Sequence, residues 1–503
     1  MSPLELGLPV LAAVDRPLVV GLVLYVAVVL AVGLLAARRS GSSPREYFLA
    51  GNGLGTAVLF MALFGTNCTA FVLVGVPGQA YHSGLGIFSI NAPIIALGIP
   101  LTFWAIGAPA RRLGRELGAL TPAELYSKRL GSRSVGLLLF GVFALYTVPY
   151  MVTAVQGAAV TLASSTEGAI PEWLGGAAVL AVALCYTSIG GMRATAWTNV
   201  VQGVIFLGFV LAAVFLYARA VGGDGGLAGA MARLVEERPE LTTLPEGGLF
   251  EPRAFASWSL AIALTVIAFP HMLVRLMAAE SERSLRSVCR LYPLALVLLW
   301  LPVVLIGTFG ALEFPGLVGR DSDRIFATMA GAFLPPWLEA LSFVAVLAAV
   351  MSTLDAQILT LGSMVTRDVL DPLMPNRREE VDVLRGRLFG GLLALVVFAL
   401  WRVGGASIYS LASVAFSGYV TLVPTMLFGV RWERFNARGA VLSILVGNGC
   451  YFAALFAAGG LDSAMRPSLL GFLPVVWGLV GALLGALVGT YQVPRASTRA
   501  SSP

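Results

Sequence analysis

The run from Ala345 to Gln357 (AVLAAVMSTLDAQ) sets two adjacent hydroxyls, an acid and an amide inside a long apolar stretch. On a helix, positions 349, 352, 353 and 356 share a face, so Ser352 and Thr353 aim two oxygens in one direction above small alanines. Such hydroxyls either bond back to carbonyls one turn earlier in their own helix or join the oxygens of a neighbour to hold a bare cation. The spacing alone leaves both readings open. A second run, Met61 to Phe71 (MALFGTNCTAF), gathers small and polar residues at the middle of another apolar segment. A weak helix there lets backbone carbonyls turn out of the ladder and serve a hard cation without burying a carboxylate. Close helix packing through Gly65 and Ala70 is the competing reading.

Other chemistry finds little footing. The two histidines, His82 and His271, are far apart, and Cys68, Cys185, Cys289 and Cys450 show neither metal-ligand spacing nor a disulfide framework. No nucleophile and base, and no paired carboxylates, suggest an enzyme. The expectation is a protein without catalytic residues or cofactor.

The elements that must position these residues follow from composition. The chain has 503 residues, 58% hydrophobic and 12% charged, with a mean hydropathy of +0.86, outside the range of water-soluble domains. This predicts an all-α polytopic membrane protein surrounded by lipid. Apolar runs long enough to cross the bilayer number about 13, centred near residues 28, 67, 96, 149, 180, 207, 267, 302, 350, 394, 418, 448 and 479. The net charge of +6 comes from arginines concentrated in alternate loops, among them Arg111, Arg112, Arg115, Arg283, Arg286, Arg385 and Arg387. That asymmetry reads as topology, not as a nucleic-acid surface, and puts the N-terminus outside and the C-terminus in the cytoplasm of a plasma-membrane protein. The first span is read as retained, since no basic region or cleavage site precedes it. A short helix is expected near Leu227 to Glu237 in the longest outer loop. Breaks at Gly75-Val-Pro77-Gly78 and at Phe269-Pro270-His271 fall in the second and seventh helices, five apart, as two inverted halves each opening on a broken helix would require.

Several segments together resemble the sodium:solute symporter family: Glu46 to Gly51 (EYFLAG), Gly75 to Gly84 (GVPGQAYHSG), Ser188 to Gln202 (SIGGMRATAWTNVVQ), Pro270-His271 with Arg275 to Ala279 (RLMAA), and Ala348 to Thr353 (AAVMST). The resemblance implies a LeuT-like 5+5 inverted-repeat core at residues 54–430. It also implies one extra N-terminal helix at 18–37, two extra C-terminal helices at 438–491 and a disordered cytoplasmic tail at 492–503, all in one membrane domain. It further implies symport of sodium with a small organic solute (amino acid, sugar, monocarboxylate or vitamin) by alternating access. The implied sodium ligands are the backbone oxygens of Gly65 and Cys68, the carbonyl of Ala349 and the hydroxyls of Ser352 and Thr353. For the solute, the resemblance points to Thr66, Asn67, Thr69, Phe71, Asn91, Tyr146, Tyr150, Gln156, Trp258 and Thr265.

Two departures stand out. Many relatives carry Asp where this chain has Asn67 or Asn199, and hydroxyls where it has Asp355 and Ala356. Asn199 and Asp355 form either a second cation site or a pair that holds two helices in register, with one sodium per cycle the expectation. The alternatives to sodium symport are a proton-coupled or uncoupled permease of the same fold and, less well supported, a solute sensor.

Overall fold

The computed structural model describes residues 16–38, 41, 43–166, 168–373, 380–404 and 408–492. The expected disordered tail lies almost wholly outside them. Among the described residues the ordered elements are helices, as a bilayer demands of backbone that must satisfy its own hydrogen bonds. The first, α1 (Arg16–Ala37), leans on the rest of the molecule through Leu18, Tyr25, Val29 and Gly33 and leaves most of its other side chains exposed, to lipid in the membrane setting. A short α2 (Pro44–Leu49) leads into α3 (Thr56–Asn67), which stops mid-span. The chain resumes through a widened turn at Phe71–Gly75 into α4 (Val76–Ser83), bent by 53° from α3.

Then come α5 (Gly86–Thr102), α6 (Ala108–Glu116), α7 (Pro122–Leu130), α8 (Arg133–Ser165), α9 (Glu172–Gly222) and the outer-loop helix α10 (Gly226–Glu237), which matches the expected short helix. The second break separates α11 (Pro252–Ala268) from α12 (Pro270–Met277), with a bend of 51°. The remaining helices are α13 (Glu282–Glu313), α14 (Ile325–Phe333), α15 (Pro336–Met364), α16 (Glu380–Val403), α17 (Ile408–Val420), α18 (Val423–Arg431), α19 (Ala437–Ala457) and α20 (Pro474–Tyr491).

The two breaks have different causes. At the second, Phe269 is extended (φ −65°, ψ 120°) and Pro270 opens α12, where its missing N–H is no loss. At the first, the break falls at Cys68 (φ −94°, ψ 91°), several residues before the Gly75-Val-Pro77-Gly78 segment that was expected to carry it. Pro77 sits in the first turn of α4, where a ring is tolerated, so it does not interrupt the helix. What ends α3 is its own chemistry: the Thr69 hydroxyl accepts the Phe71 amide (3.0 Å), and the Thr69 carbonyl accepts the Val72 amide (2.9 Å), which would otherwise close on Cys68.

The broken helices are joined at one end. Leu54, just before α3, bonds through its amide to the Ala278 carbonyl (3.2 Å) and through its carbonyl to the Glu280 amide (2.9 Å), and the Asn52 side chain donates to the Met277 carbonyl (2.9 Å). Arg111 reinforces the joint by donating to the carbonyls of Ala279 (2.8 Å) and Glu280 (2.6 Å).

Among the described residues ten helices are long and apolar enough to cross a membrane, or up to twelve when each bent pair counts as one span. The expected thirteen is not reached by that count. The difference lies in α9, a 51-residue run with Gly191 in a non-helical conformation (φ 56°, ψ −149°).

Candidate functional site

The break in α3 lies against the middle of α15. The Ser352 hydroxyl donates to the Gly65 carbonyl (2.9 Å) and is also within reach of the Ala349 carbonyl (2.8 Å). Thr353 reaches the Thr66 carbonyl (3.0 Å) and, at 3.3 Å, the Ala349 carbonyl. Each hydroxyl thus lies within reach of a carbonyl of its own helix and of a carbonyl across the gap on α3. Gly65 lets α9 come close to α3, because a Cβ there would stand 3.2 Å from the Asn199 carbonyl oxygen. Asn199 of α9 closes the third side, donating to the Thr66 hydroxyl (2.9 Å) and the Ser352 carbonyl (3.0 Å).

Ser352 and Thr353 are buried, as is Cys68, whose carbonyl has lost its usual helical partner through the Thr69 turn. The arrangement gathers neutral oxygens of Ser352, Thr353, Gly65, Thr66 and Ala349, and the hydroxyl protons can rotate away to free lone pairs. Chemically this suits a hard monovalent cation that must leave again, since neutral oxygens bind without the depth of a carboxylate cage.

Of the solute candidates, the structure brings Asn67, Phe71, Tyr150 and Thr265 onto one small cavity of about 20 Å³, walled also by Val72, Ile95, Ile99, Ile262, Val266, Phe269, Trp300 and Phe416. That volume holds about one water. The rings close it: Phe71 lies 5.0 Å from Phe416, Tyr150 5.1 Å from Phe416 and 5.3 Å from Phe269. The other candidates lie off its lining. The Thr66 hydroxyl serves the Ser352 carbonyl (3.1 Å), and Thr69 caps the break and accepts from Tyr150 (3.2 Å). Trp258 donates to Asn91 (3.0 Å), so these two satisfy one another, while Tyr146 donates to Asn448 of α19 (2.6 Å) and Gln156 is buried elsewhere in α8. A larger groove of about 520 Å³ opens between α1 and the start of α3, but its charged lining group, Arg193, is already paired with Glu46 at 3.0 Å.

Asp355 does not meet Asn199 through a direct side-chain bond. It faces Arg275 of α12, whose Nη2 lies 3.6 Å from its Oδ1, and accepts a bond from Tyr186 (3.1 Å). Arg275, in the last turn of α12, is fully buried and donates to the Ala62 carbonyl of α3 (3.0 Å). An arginine on a short, otherwise apolar half-helix was the available signal.

The segment that follows α15 is tied to α7. Thr121 caps α7 by accepting from the Glu124 amide (2.9 Å), and Glu124 accepts from the Leu120 amide (2.8 Å) while pairing with Lys128 (2.8 Å) and Arg367 (3.2 Å). Burial resists the Glu124 charge, but Arg367 and Lys128 outweigh it and hold the carboxyl below the usual range. Its contribution is therefore present above the ordinary carboxylate pKa and fades only as pH falls through the lowered value. Glu124→Gln is expected to cost about 2 kcal/mol, the scale of hydrogen bonds to a charged group. Thermal melts of the two proteins at neutral pH would check this, and melting points that coincide would show the anchor to be idle.

A broken helix meeting α15 around buried neutral oxygens, with a second broken helix tied to the first at one end, is an arrangement of the LeuT-like fold. The solved structures it resembles are of that fold, among them a Na+-coupled sialic acid symporter in a substrate-bound outward-open state (TM-score 0.80, 17% identity, covering 95% of this chain and 98% of that one). The model of the sodium:solute symporter family matches residues 47–447, and the chain belongs to that family. Similar relatives include the sodium/proline symporter of Haemophilus influenzae, 30% identical over 87% of this chain and 88% of that protein. The sodium/pantothenate symporter of Escherichia coli is 28% identical over 95% and 97%. Sodium is accordingly the coupling ion, and the protein is a multi-pass protein of the plasma membrane.

Proposed function

We propose that this protein couples the inward movement of sodium to the entry of a compact, amino-acid-sized solute, with sodium held by the carbonyls of Gly65, Cys68 and Ala349 and the hydroxyls of Ser352 and Thr353. The observation that carries the ion site is the buried meeting of Ser352 with the Gly65 and Ala349 carbonyls at 2.9 and 2.8 Å. Sodium there bridges α3 and α15, favours the outward-facing form and raises solute affinity, and by linkage the solute raises sodium affinity equally.

The solute's place is beside the break, where Asn67, Tyr150 and Thr265 are polar lining groups and no charged side chain lines the cavity; at about 20 Å³ it must open for any organic guest. The sodium/proline relatives support a compact solute.

We further read Gly191 as the boundary between two spans, which gives thirteen. The described region then divides into an extra first helix, a ten-helix core from α3 to α18, and the pair α19 and α20. Arginines clustered in alternate loops support a cytoplasmic C-terminus and an external N-terminus.

A thermal-shift screen of the purified protein against amino acids, sugars, monocarboxylates and vitamins, with and without sodium, tests the reading. Stabilisation by a small amino acid that requires sodium is expected. A solute that stabilises equally well in sodium-free buffer contradicts the coupling.

A further inference from the structure

We propose that Arg275 fixes the sodium stoichiometry at one, because its guanidinium permanently supplies at Asp355 the positive charge that a second sodium would otherwise supply. This rests on the sodium site proposed above.

Asp355 follows Ser352 and Thr353 by less than one turn of α15 and is fully buried. A lone carboxylate in that position carries a large desolvation cost and draws in whatever cation can reach it. Here the cation is part of the chain. Arg275 and Asp355 form the one ion pair among the described residues in which both side chains have no exposure. Arg275 is also tethered by its Nη1 to the Ala62 carbonyl, one turn before Gly65, so the guanidinium spans α3 and α15, the same two helices that the sodium site joins.

The other polar groups packed nearby are neutral. Tyr186 donates to Asp355 and lies 3.3 Å from the Met351 carbonyl, Gln202 donates to Tyr25 (3.0 Å), and Asn199 donates to Thr66 and Ser352.

The fit between acid and arginine is loose. At 3.6 Å the contact is a charge pairing and not a hydrogen bond. Asp355 Oδ1, Asn199 Oδ1 and Gln202 Oε1 are all buried acceptors with no hydrogen-bond donor. Asn199 and Gln202 stand three residues apart on one face of α9. The Asp355 oxygen faces the arginine, and the two amide oxygens add buried acceptors on the neighbouring helix α9. Removing the guanidinium leaves a buried carboxylate with unused amide oxygens on the neighbouring helix, and the cheapest remaining counter-charge is sodium itself.

The test uses the purified full-length protein and sodium alone, read by equilibrium binding of radioactive sodium and by sodium-dependent melting. The wild type is expected to bind one sodium per chain without cooperativity. Arg275→Gln is expected to bind two, and Arg275→Gln combined with Asp355→Asn to return to one. Asp355→Asn by itself strands the arginine charge beside the site and is expected to weaken the single sodium about tenfold, the scale of an uncompensated nearby charge in a partly polar interior. The double variant is expected to recover that loss.

One sodium in a folded Arg275→Gln protein overturns the inference, as does an unchanged sodium affinity in Asp355→Asn, which keeps the question decidable should Arg275→Gln fail to fold. Sodium binding that Ser352→Ala leaves unaltered overturns the site itself and this inference with it. Binding that depends on Ser352, with one sodium in Arg275→Gln, overturns the inference alone.

Discussion

Ser352→Ala is expected to raise the sodium concentration for half-maximal binding by about tenfold or more, the equivalent of one good hydrogen-bonding oxygen removed from a buried site. The hydroxyl is the group on α15 that reaches Gly65 across the helix gap, so its loss removes a ligand and a link between the two helices together. Thr353→Ala is expected to act in the same direction with a smaller effect, because its contact to the Ala349 carbonyl is the longer one. Ser363→Ala is the control: that hydroxyl bonds the Thr360 carbonyl of its own helix at 2.7 Å, and its removal should leave sodium dependence alone. A well-folded Ser352→Ala protein with wild-type sodium dependence would remove the assignment.

A large effect on stability is expected from Gly191→Ala. Gly191 lies at φ 56°, where a side chain is strained, and a Cβ there would come to 2.4 Å from the Tyr47 carbonyl oxygen, a backbone atom that cannot swing aside. Strain and overpacking together should cost roughly 3 kcal/mol or more. The same contact fixes the turn in α9 against α2, which Tyr47 reinforces by donating to the Thr187 carbonyl (3.2 Å). Melting temperature in detergent and the yield of folded protein measure this; an alanine variant as stable as the wild type would show that the turn can relax.

Most of the fold was legible because a bilayer leaves few options. Long apolar runs have to be helices, and their arginine-flanked ends suggest which loops lie together. The break at Phe269-Pro270 could be read because proline announces it. The break in α3 could be placed only approximately, since no proline marks it. It arises from Thr69 recapturing two amides, a local bond that competes with the ladder and leaves no strong sequence signature. The spans expected near residues 180 and 207 fall on either side of Gly191, but glycine occurs throughout membrane helices, so the position of the turn itself was not written in the neighbouring residues.

At the site, Ser352 and Thr353 stood out because hydroxyls on one face of an apolar helix are conspicuous, and the weak helix at Met61 to Phe71 pointed to free carbonyls, with Gly65 itself named through the family resemblance. The solute residues were harder. Asn91, Trp258, Tyr146 and Thr66 carry the same chemistry as true lining groups, yet each spends its polar atom on another helix. Phe269, Trp300 and Phe416 line the cavity but looked like ordinary apolar residues in sequence. Arg275 and Asp355 are separated by 80 positions, and only the packing of α12 on α15 shows that one neutralises the other.

The most direct measurement of the central claim is uptake into proteoliposomes of the solute returned by the sodium-dependent screen, with sodium and proton gradients imposed separately. Accumulation against a concentration gradient under an inward sodium gradient, lost when sodium is equal on both sides and not restored by a proton gradient, is the predicted result. Accumulation driven by the proton gradient in the absence of sodium would contradict it.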